Sequence, residues 1–350
     1  MSRDKRRIIF IVNPISGTQG KQQTILDIKD RLRPESLDYE IRMTQYAGHA
    51  REIALEEALK GTDTVVAVGG DGTVNEVASA LVGSQTALGI IPFGSGNGLA
   101  RHLMIPMAKK RALEVVIRGL RESVDYGTIN QKPFFCTCGC GFDAFVSQKF
   151  SEKGKRGPLS YVEEALKEML QYEPQTYKIS VDGTESIHEA FVIACGNAAQ
   201  YGNNAFITPH AAISDGLLDV TILSPFQMKD IPELSLQLFT KTLDQNPRIE
   251  TLRCKSLTIH REKEGVVHYD GDPAIMEKDL SVEIHPKALN VLIPSESERA
   301  IDMAGKAQEM VNGWRQLNER FFIKGVSMMT MDKLKDRISG LKNEKKPESD

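Results

Sequence analysis

Apolar residues along this chain keep two different rhythms. From residue 6 to 128, short aliphatic runs alternate with stretches in which apolar positions recur every three or four residues. Ile8–Val12, Tyr39–Met43, Thr64–Val68 and Leu88–Pro92 read as strands, and Thr64–Val68 has the uninterrupted apolar texture of a strand covered on both faces. His49–Leu59 and Met107–Leu120 are among the helices. Strand and helix in alternation predict a parallel sheet in an α/β domain. Beyond Asp125 the period shortens to two. Phe134–Cys140, Tyr177–Val181, Ala190–Ala194, Leu218–Leu223, Ser256–His260, Val266–Tyr269 and Ser281–Ile284 predict an antiparallel sandwich, with Asp182-Gly183 as a hairpin turn and Leu159–Leu170 as a helical insertion.

Three of the predicted strands run into glycine-rich turns. After Val68 the chain reads Gly69-Gly70-Asp71-Gly72-Thr73-Val74-Asn75-Glu76-Val77. The glycines let backbone approach a ligand closely, and Val74, Val77, Ala78 and Leu81 follow at helical period. Thr73 and Glu76 have the spacing of a capping box, so the turn is expected to end at a helix N-terminus, where free N–H groups favour an anion. Asp71, expected as an exposed loop carboxylate, would hold a cation against that anion; a nucleotide with Mg²⁺ satisfies both. Leu88–Leu103 repeats the grammar in Gly94-Ser95-Gly96-Asn97-Gly98-Leu99, where Leu99 breaks the dinucleotide fingerprint. A third loop, Asn13 to Lys21, is no Walker A motif, because Gln22 follows the lysine where Ser or Thr should stand. Three loops at successive strand ends lie in the crevice where such sheets bind ligands.

Composition narrows the picture. The 350 residues suit two domains better than one, and a net charge of −3 with interspersed signs leaves no basic footprint for nucleic acid. No apolar run approaches membrane-span length and the basic N-terminus leads into a strand, so neither a transmembrane span nor a signal peptide is expected. Cys136, Cys138 and Cys140 alternate, which predicts one shared strand face; the five cysteines are expected as buried thiols of a reducing, cytoplasmic compartment. Residues 301–322 have mostly helical apolar spacing, with packing on the first domain and peripheral membrane contact both open. Residues 342–350 are charged and expected to be disordered.

With N-P-x-S-G near the start, G-G-D-G-T-V-N-E-V at 69–77, P-F-G-S-G-N-G-L-A at 92–100, S-D-G-L-L-D-V at 214–220 and Y-D-G-D-P at 269–273, the chain resembles the diacylglycerol kinase catalytic family, which includes sphingosine and ceramide kinases and bacterial lipid kinases. The resemblance implies an α/β nucleotide-binding domain over 1–128, a β-sandwich domain over 129–288, a return of the chain to the first domain over 289–325, a tail over 326–350, and an active site between the domains. It implies an ATP- and Mg²⁺-dependent lipid kinase acting at a membrane surface, with a homodimer allowed for. Asn13, Thr44, Gly70, Asp71, Gly72, Thr73, Asn75, Glu76, Ser95 and Asn97 match the nucleotide site; Lys155 and Arg156 either reach across the cleft to the phosphates or form a solvated basic loop. Asp272 stands where most of the family has glutamate and is the candidate general base, with Asp71 beside it in the catalytic set and Asp270 in support. Ala212, Asp215 and Leu217 match a second magnesium site made of one carboxylate and two backbone carbonyls.

Two departures bear on the acceptor. Many bacterial diacylglycerol kinases carry Asp where this chain has Gly98, whereas sphingosine-kinase-like members carry a small residue. That loop leans slightly toward a sphingoid base over a diacylglycerol, with Asp143 as the carboxylate that would meet an ammonium headgroup, although Phe145 falls at the position of the sphingosine-recognising acid. NAD kinase and a catalytically silent nucleotide- or lipid-binding protein are the alternatives.

Overall fold

The computed structural model describes residues 6–14, 21–33, 37–153 and 172–296. Ser16 and the rest of the loop up to Gly20, Lys155, Arg156, the predicted helix Leu159–Leu170 and everything beyond residue 296 lie outside the described residues.

The first half builds as its period predicts. Strands β1 (Arg7–Val12), β2 (Asp38–Met43), β3 (Thr64–Gly69) and β4 (Ala87–Pro92) pair in parallel in the order β2-β1-β3-β4. Helices α1 (Lys21–Leu32), α2 (His49–Leu59), α3 (Asp71–Leu81), α4 (Gly98–His102) and α5 (Lys109–Arg118) connect them. Phe10, Val66, Leu88, Val77 and Leu113 belong to one buried core. Every residue of β3 and β4 is buried, as expected of central strands in a sheet covered by helices.

The second half is a sandwich, and one strand joins it to the first. Strands β5 (Leu120–Ile129), β6 (Lys132–Phe134), β7 (Thr137–Gly141) and helix α6 (Phe142–Lys153) come first. They are followed by β8 (Gln175–Val181), β9 (Thr184–Ala190), β10 (Val192–Gly196), β11 (Leu218–Leu223), helix α7 (Ile231–Thr240), β12 (Ile249–Cys254) and β13 (Ser256–Arg261). Last are β14 (Gly265–Tyr269), β15 (Asp272–Met276) and β16 (Asp279–Ile293). One face of the sandwich is the antiparallel sheet β12-β11-β10-β7-β14-β15. The other continues the parallel sheet, because β16 pairs with β13 and β5 along most of its length and with β4 through Val291 and Leu88. Ile129, Tyr177, Ile193, Leu218, Ile259 and Val282 fill the space between the two sheets.

The stretch Phe134–Cys140 is not one strand. It breaks between β6 and β7 because the N–H groups of Phe135, Cys136 and Thr137 leave the ladder for the Asp270 carboxylate. The break also overturns the shared face of the three cysteines. Cys136 packs in the first core, whereas Cys138 and Cys140 pack in the sandwich. All five thiols are free and buried, and burial drives that of Cys140 above its ordinary range.

Candidate active site

The first glycine turn joins β3 to α3. Gly70 caps α3 without any side-chain bond, and Val74 N donates to Gly70 O at 3.0 Å. The capping box expected of Thr73 and Glu76 does not form. Glu76 instead reaches sideways, and its two carboxylate oxygens accept Gly48 N at 2.9 Å and Ala50 N at 3.1 Å. Those donors open α2, whose own cap position is a glycine. Thr73 Oγ1 accepts from Asn13 Nδ2 at 3.0 Å, which ties the first loop to the end of β1. Thr44 is buried and continues the β1–β2 ladder, its N–H donating to Val12 O at 2.9 Å. Helix α3 therefore opens with N–H groups that have no acceptor within the helix, the donors a phosphate takes.

The second glycine loop is held by the first. Asp71 Oδ2 accepts Asn97 N at 2.8 Å and Oδ1 accepts Gly98 N at 2.7 Å. The two backbones touch: a Cβ on Gly70 would lie 3.1 Å from Gly94 Cα, and one on Gly94 would lie 2.8 Å from Gly70 Cα. Asn97 closes its own loop, its side chain accepting Gly94 N at 2.9 Å and donating to Gly94 O at 2.7 Å. The expectation of an exposed Asp71 is thus corrected, and Asn97 spends its side chain on the loop. Burial raises the Asp71 carboxyl against the opposing pull of those two N–H groups and Arg101. Ser95 keeps an exposed position on the loop.

Opposite Gly72 stands the turn between β14 and β15. Asp270 and Gly271 both have positive φ, 49° and 87°, and Tyr269 pairs with Asp272, which makes a two-residue hairpin of the primed kind. Its two carboxylates behave differently. Asp270 accepts four donors: Phe135 N at 2.9 Å, Cys136 N at 2.7 Å, Thr137 N at 3.2 Å and Asn75 Nδ2 at 2.8 Å. Asn75, expected on the nucleotide, thereby links α3 to the hairpin. Among the described residues no donor reaches Asp272. A Cβ on Gly72 would lie 3.9 Å from Asp272 Oδ2, so this carboxylate hangs over the head of α3. Although the residue still meets solvent, its carboxyl is pushed up to about 6, first by the surrounding protein and then by the charges of Asp270, Asp71 and Glu76.

Asp143, in the first turn of α6, is not available to a headgroup. Its Oδ2 accepts Tyr201 Oη at 2.7 Å and lies 2.9 Å from the buried His268 Nε2, while Oδ1 accepts Ala144 N at 2.8 Å. The loop carrying Tyr201 also walls in Gly98: a Cβ there would lie 3.1 Å from Tyr201 O and 3.2 Å from Cys136 Sγ. Packing accounts for the glycine.

The loop of Ala212, Asp215 and Leu217 has a different partner from the one expected. Asp215 Oδ1 accepts Leu217 N at 3.0 Å, and its Oδ2 is ion-paired with the Arg253 guanidinium. A magnesium ion on this carboxylate would share it with a fixed positive charge, so the residues do not fit the ion. Asp125 fastens the same loop from the other side. This buried carboxylate accepts Gly216 N and Lys287 N, each at 2.7 Å, and Asp125 N donates to Ile213 O at 2.8 Å. Asp125, Arg253, Tyr201 and His268 carry no sequence motif, and their partners lie far away along the chain.

Residues 7–129 match the family described as Diacylglycerol kinase catalytic domain, and residues 136–293 match the YegS C-terminal NAD kinase beta sandwich-like domain. The chain is 32% identical over 299 residues to a diacylglycerol kinase of Mycobacterium tuberculosis (strain ATCC 25618 / H37Rv), covering 82% of this chain and 95% of that one. It is 29% identical over 291 residues to a probable lipid kinase YegS-like of Yersinia enterocolitica, covering 81% and 97%. The solved structure of a putative diacylglycerol kinase from Bacillus anthracis superposes with a TM-score of 0.71 at 26% identity, covering 82% of this chain and 95% of that one.

Proposed function

Because this chain belongs to the diacylglycerol kinase catalytic-domain family and is thereby a lipid kinase, we propose that it moves the γ-phosphoryl group of ATP to the hydroxyl of a diacylglycerol. The observation that carries the reading is Asp272. It is a carboxylate with no donor among the described residues, its carboxyl pushed up to about 6, poised over the open N-terminus of α3. Such a base is ionised at neutral pH and still basic enough to take the hydroxyl proton as the oxygen attacks phosphorus. The N–H groups opening α3 and the exposed Ser95 hydroxyl would hold the phosphates.

Magnesium arriving with the nucleotide would neutralise charge on the phosphates. The crowding of Asp71, Asp270 and Glu76, which raises the Asp272 carboxyl, suits a divalent cation. No group of three or more His, Cys, Asp or Glu among the described residues could hold a metal alone. The ion would therefore sit on the phosphates and on water, with these carboxylates reached only through that water.

The acceptor reverses the slight preference read from Gly98. A sphingoid base brings an ammonium group, and the carboxylate expected to receive it, Asp143, is occupied by Tyr201, His268 and its neighbour's N–H. A neutral glycerolipid makes no such demand. Among the described residues no helix is long and apolar enough to cross a membrane, so the lipid would be met from the bilayer surface. Labelled ATP offered with diacylglycerol, sphingosine, dihydrosphingosine, ceramide and NAD tests the reading. Label is expected in the diacylglycerol. Label in sphingosine alone overturns the acceptor, label in NAD restores NAD kinase, and label in none leaves a silent binding protein.

A further inference from the structure

The loop joining residue 212 to β11 carries the family's carboxylate-and-carbonyl arrangement, yet the chain provides its own cation there. Register fixes where that cation sits. In the β11–β12 ladder Asp219 stands directly opposite Arg253, and Arg253 Nε lies 3.3 Å from Asp219 Oδ2 while its Nη2 pairs with Asp215 Oδ2. One guanidinium thus spans two carboxylates with adjacent edge nitrogens, the planar fork for which arginine differs from lysine. Asp215 has no oxygen left unengaged, because Leu217 N takes the other. Magnesium needs near-octahedral oxygen ligands at about 2.0–2.1 Å and parts reluctantly with water. To bind here it would have to approach within that distance of an oxygen already paired with a guanidinium.

The loop also needs no ion for its shape. Gly216, at φ 73°, donates its N–H to the Asp125 carboxylate, and Asp125 N donates to Ile213 O. Asp125 holds one side of the turn and Arg253 the other. Arg253 lies between the Asp219 and Asp215 carboxylates and pairs with both. Without the guanidinium the two carboxylates would lose the group that pairs with both of them.

We propose that Arg253 replaces magnesium at the Ala212–Leu217 loop, so that in this chain the loop is held by an intramolecular guanidinium bridge and its stability is independent of divalent cations. The inference concerns the fold of the loop and stands or falls apart from the identity of the lipid.

The test is thermal unfolding of the full chain without nucleotide, in EDTA and in millimolar Mg²⁺. Wild type is expected to change its Tm by less than about 1 °C, since a ligand that does not bind the native state does not stabilise it. Arg253→Gln is expected to melt about 1–3 °C lower in EDTA and to regain much of the loss in Mg²⁺, because the freed Asp215 carboxylate and the carbonyls of Ala212 and Leu217 become available. Arg253→Gln combined with Asp215→Asn should lose that response. A wild-type Tm that rises in Mg²⁺ and ceases to rise in Asp215→Asn overturns the proposal. So does an Arg253→Gln protein that melts like wild type in EDTA and ignores Mg²⁺. Should Arg253→Gln fail to fold, the wild-type and Asp215→Asn pair still decides, and Arg253→Lys, keeping the charge, should remain insensitive to Mg²⁺.

Discussion

The glycine turn after β3 and the hairpin turn after β14 face each other across the site, and both are rich in carboxylates, but they use them differently. In the first turn every acid is committed to backbone: Asp71 holds the N–H groups of Asn97 and Gly98, and Glu76 holds those of Gly48 and Ala50. In the hairpin one acid is committed and one is not. Asp270 accepts three backbone N–H groups and Asn75, while Asp272, two residues on, accepts nothing among the described residues. An acid saturated with N–H donors is scaffold, and an acid left bare beside other negative charges is primed to take a proton. The scaffold acids also explain how the bare one is placed. Asp270 fixes the turn of its hairpin, and the Arg261 guanidinium fixes the open end by donating to the carbonyls of Gly265, Val266, Met276 and Glu277.

The largest expected effect follows from that contrast. Asp272→Asn should lower kcat by at least about a hundredfold, on the scale of a lost general base, with the KM for ATP nearly unchanged. Folding should not suffer. A carboxyl raised to about 6 binds its proton more tightly in the folded chain than in the unfolded one, so it costs stability as pH rises from the ordinary carboxyl range through 6. Removing the charge should therefore leave Tm at neutral pH unchanged or higher. In wild type, kcat/KM should climb with pH, reaching half its rise at about 6 before it levels off. A collapse of ATP affinity with kcat preserved would make Asp272 a nucleotide or metal ligand.

Asp270→Asn should do the reverse. Asparagine tolerates the positive φ at this position, so the backbone can stay, but an amide NH₂ must now face groups that are themselves donors. A loss of about 2–3 kcal/mol in denaturant unfolding is expected, from buried N–H groups left unpaired, with activity lost in proportion to folded protein. Asp71→Asn falls between the two: stability drops by about 1–2 kcal/mol and the KM for ATP rises, because the second glycine loop loses its tether. If Asp71→Asn proteins keep their Tm and lose only turnover, the carboxylate is chemical and the division drawn above fails.

The elements that depend on local pattern were legible in the sequence. The strands and helices of the first half lie within a residue or two of their predicted bounds; the 3.6-period stretch Met107–Leu120 shortens to Lys109–Arg118, with β5 taking its last residue. The glycine turns were legible too, since only glycine allows the backbone contact between Gly70 and Gly94. What the pattern could not show is where a polar side chain spends its bonds. Thr73 and Glu76 have capping-box spacing, yet α3 starts at Asp71 with Gly70 as its cap, which leaves Thr73 inside the helix and Glu76 bonded to the start of α2. Asp143 and Tyr201 are 58 residues apart and Asp143 and His268 are 125 apart, so the carboxylate looked free until the fold brought its partners to it. Phe134–Cys140 alternates as a strand should, and Asp270 breaks it from a distance of some 130 positions.

The smallest expected effects concern the acceptor, and they sharpen the comparison most. Gly98→Ala places a methyl against a backbone carbonyl and a buried thiol, for about 1 kcal/mol of overpacking. If glycine were there to select a lipid, its replacement would change which lipid is phosphorylated; if it is there for packing, all acceptors should decline together. Asp143→Asn asks the same question of the carboxylate. Its amide can still accept from Tyr201 or Ala144 but sets a donor against one of them, so a modest fall in stability and turnover is expected on every lipid. The ratio of diacylglycerol to sphingosine phosphorylation, measured on both substrates in the same mixed micelles, should stay where wild type has it. A selective loss on sphingosine would mean that the carboxylate leaves Tyr201 and His268 to meet an ammonium group, and Asp143 would then join Asp272 among the acids of this site that act on substrate.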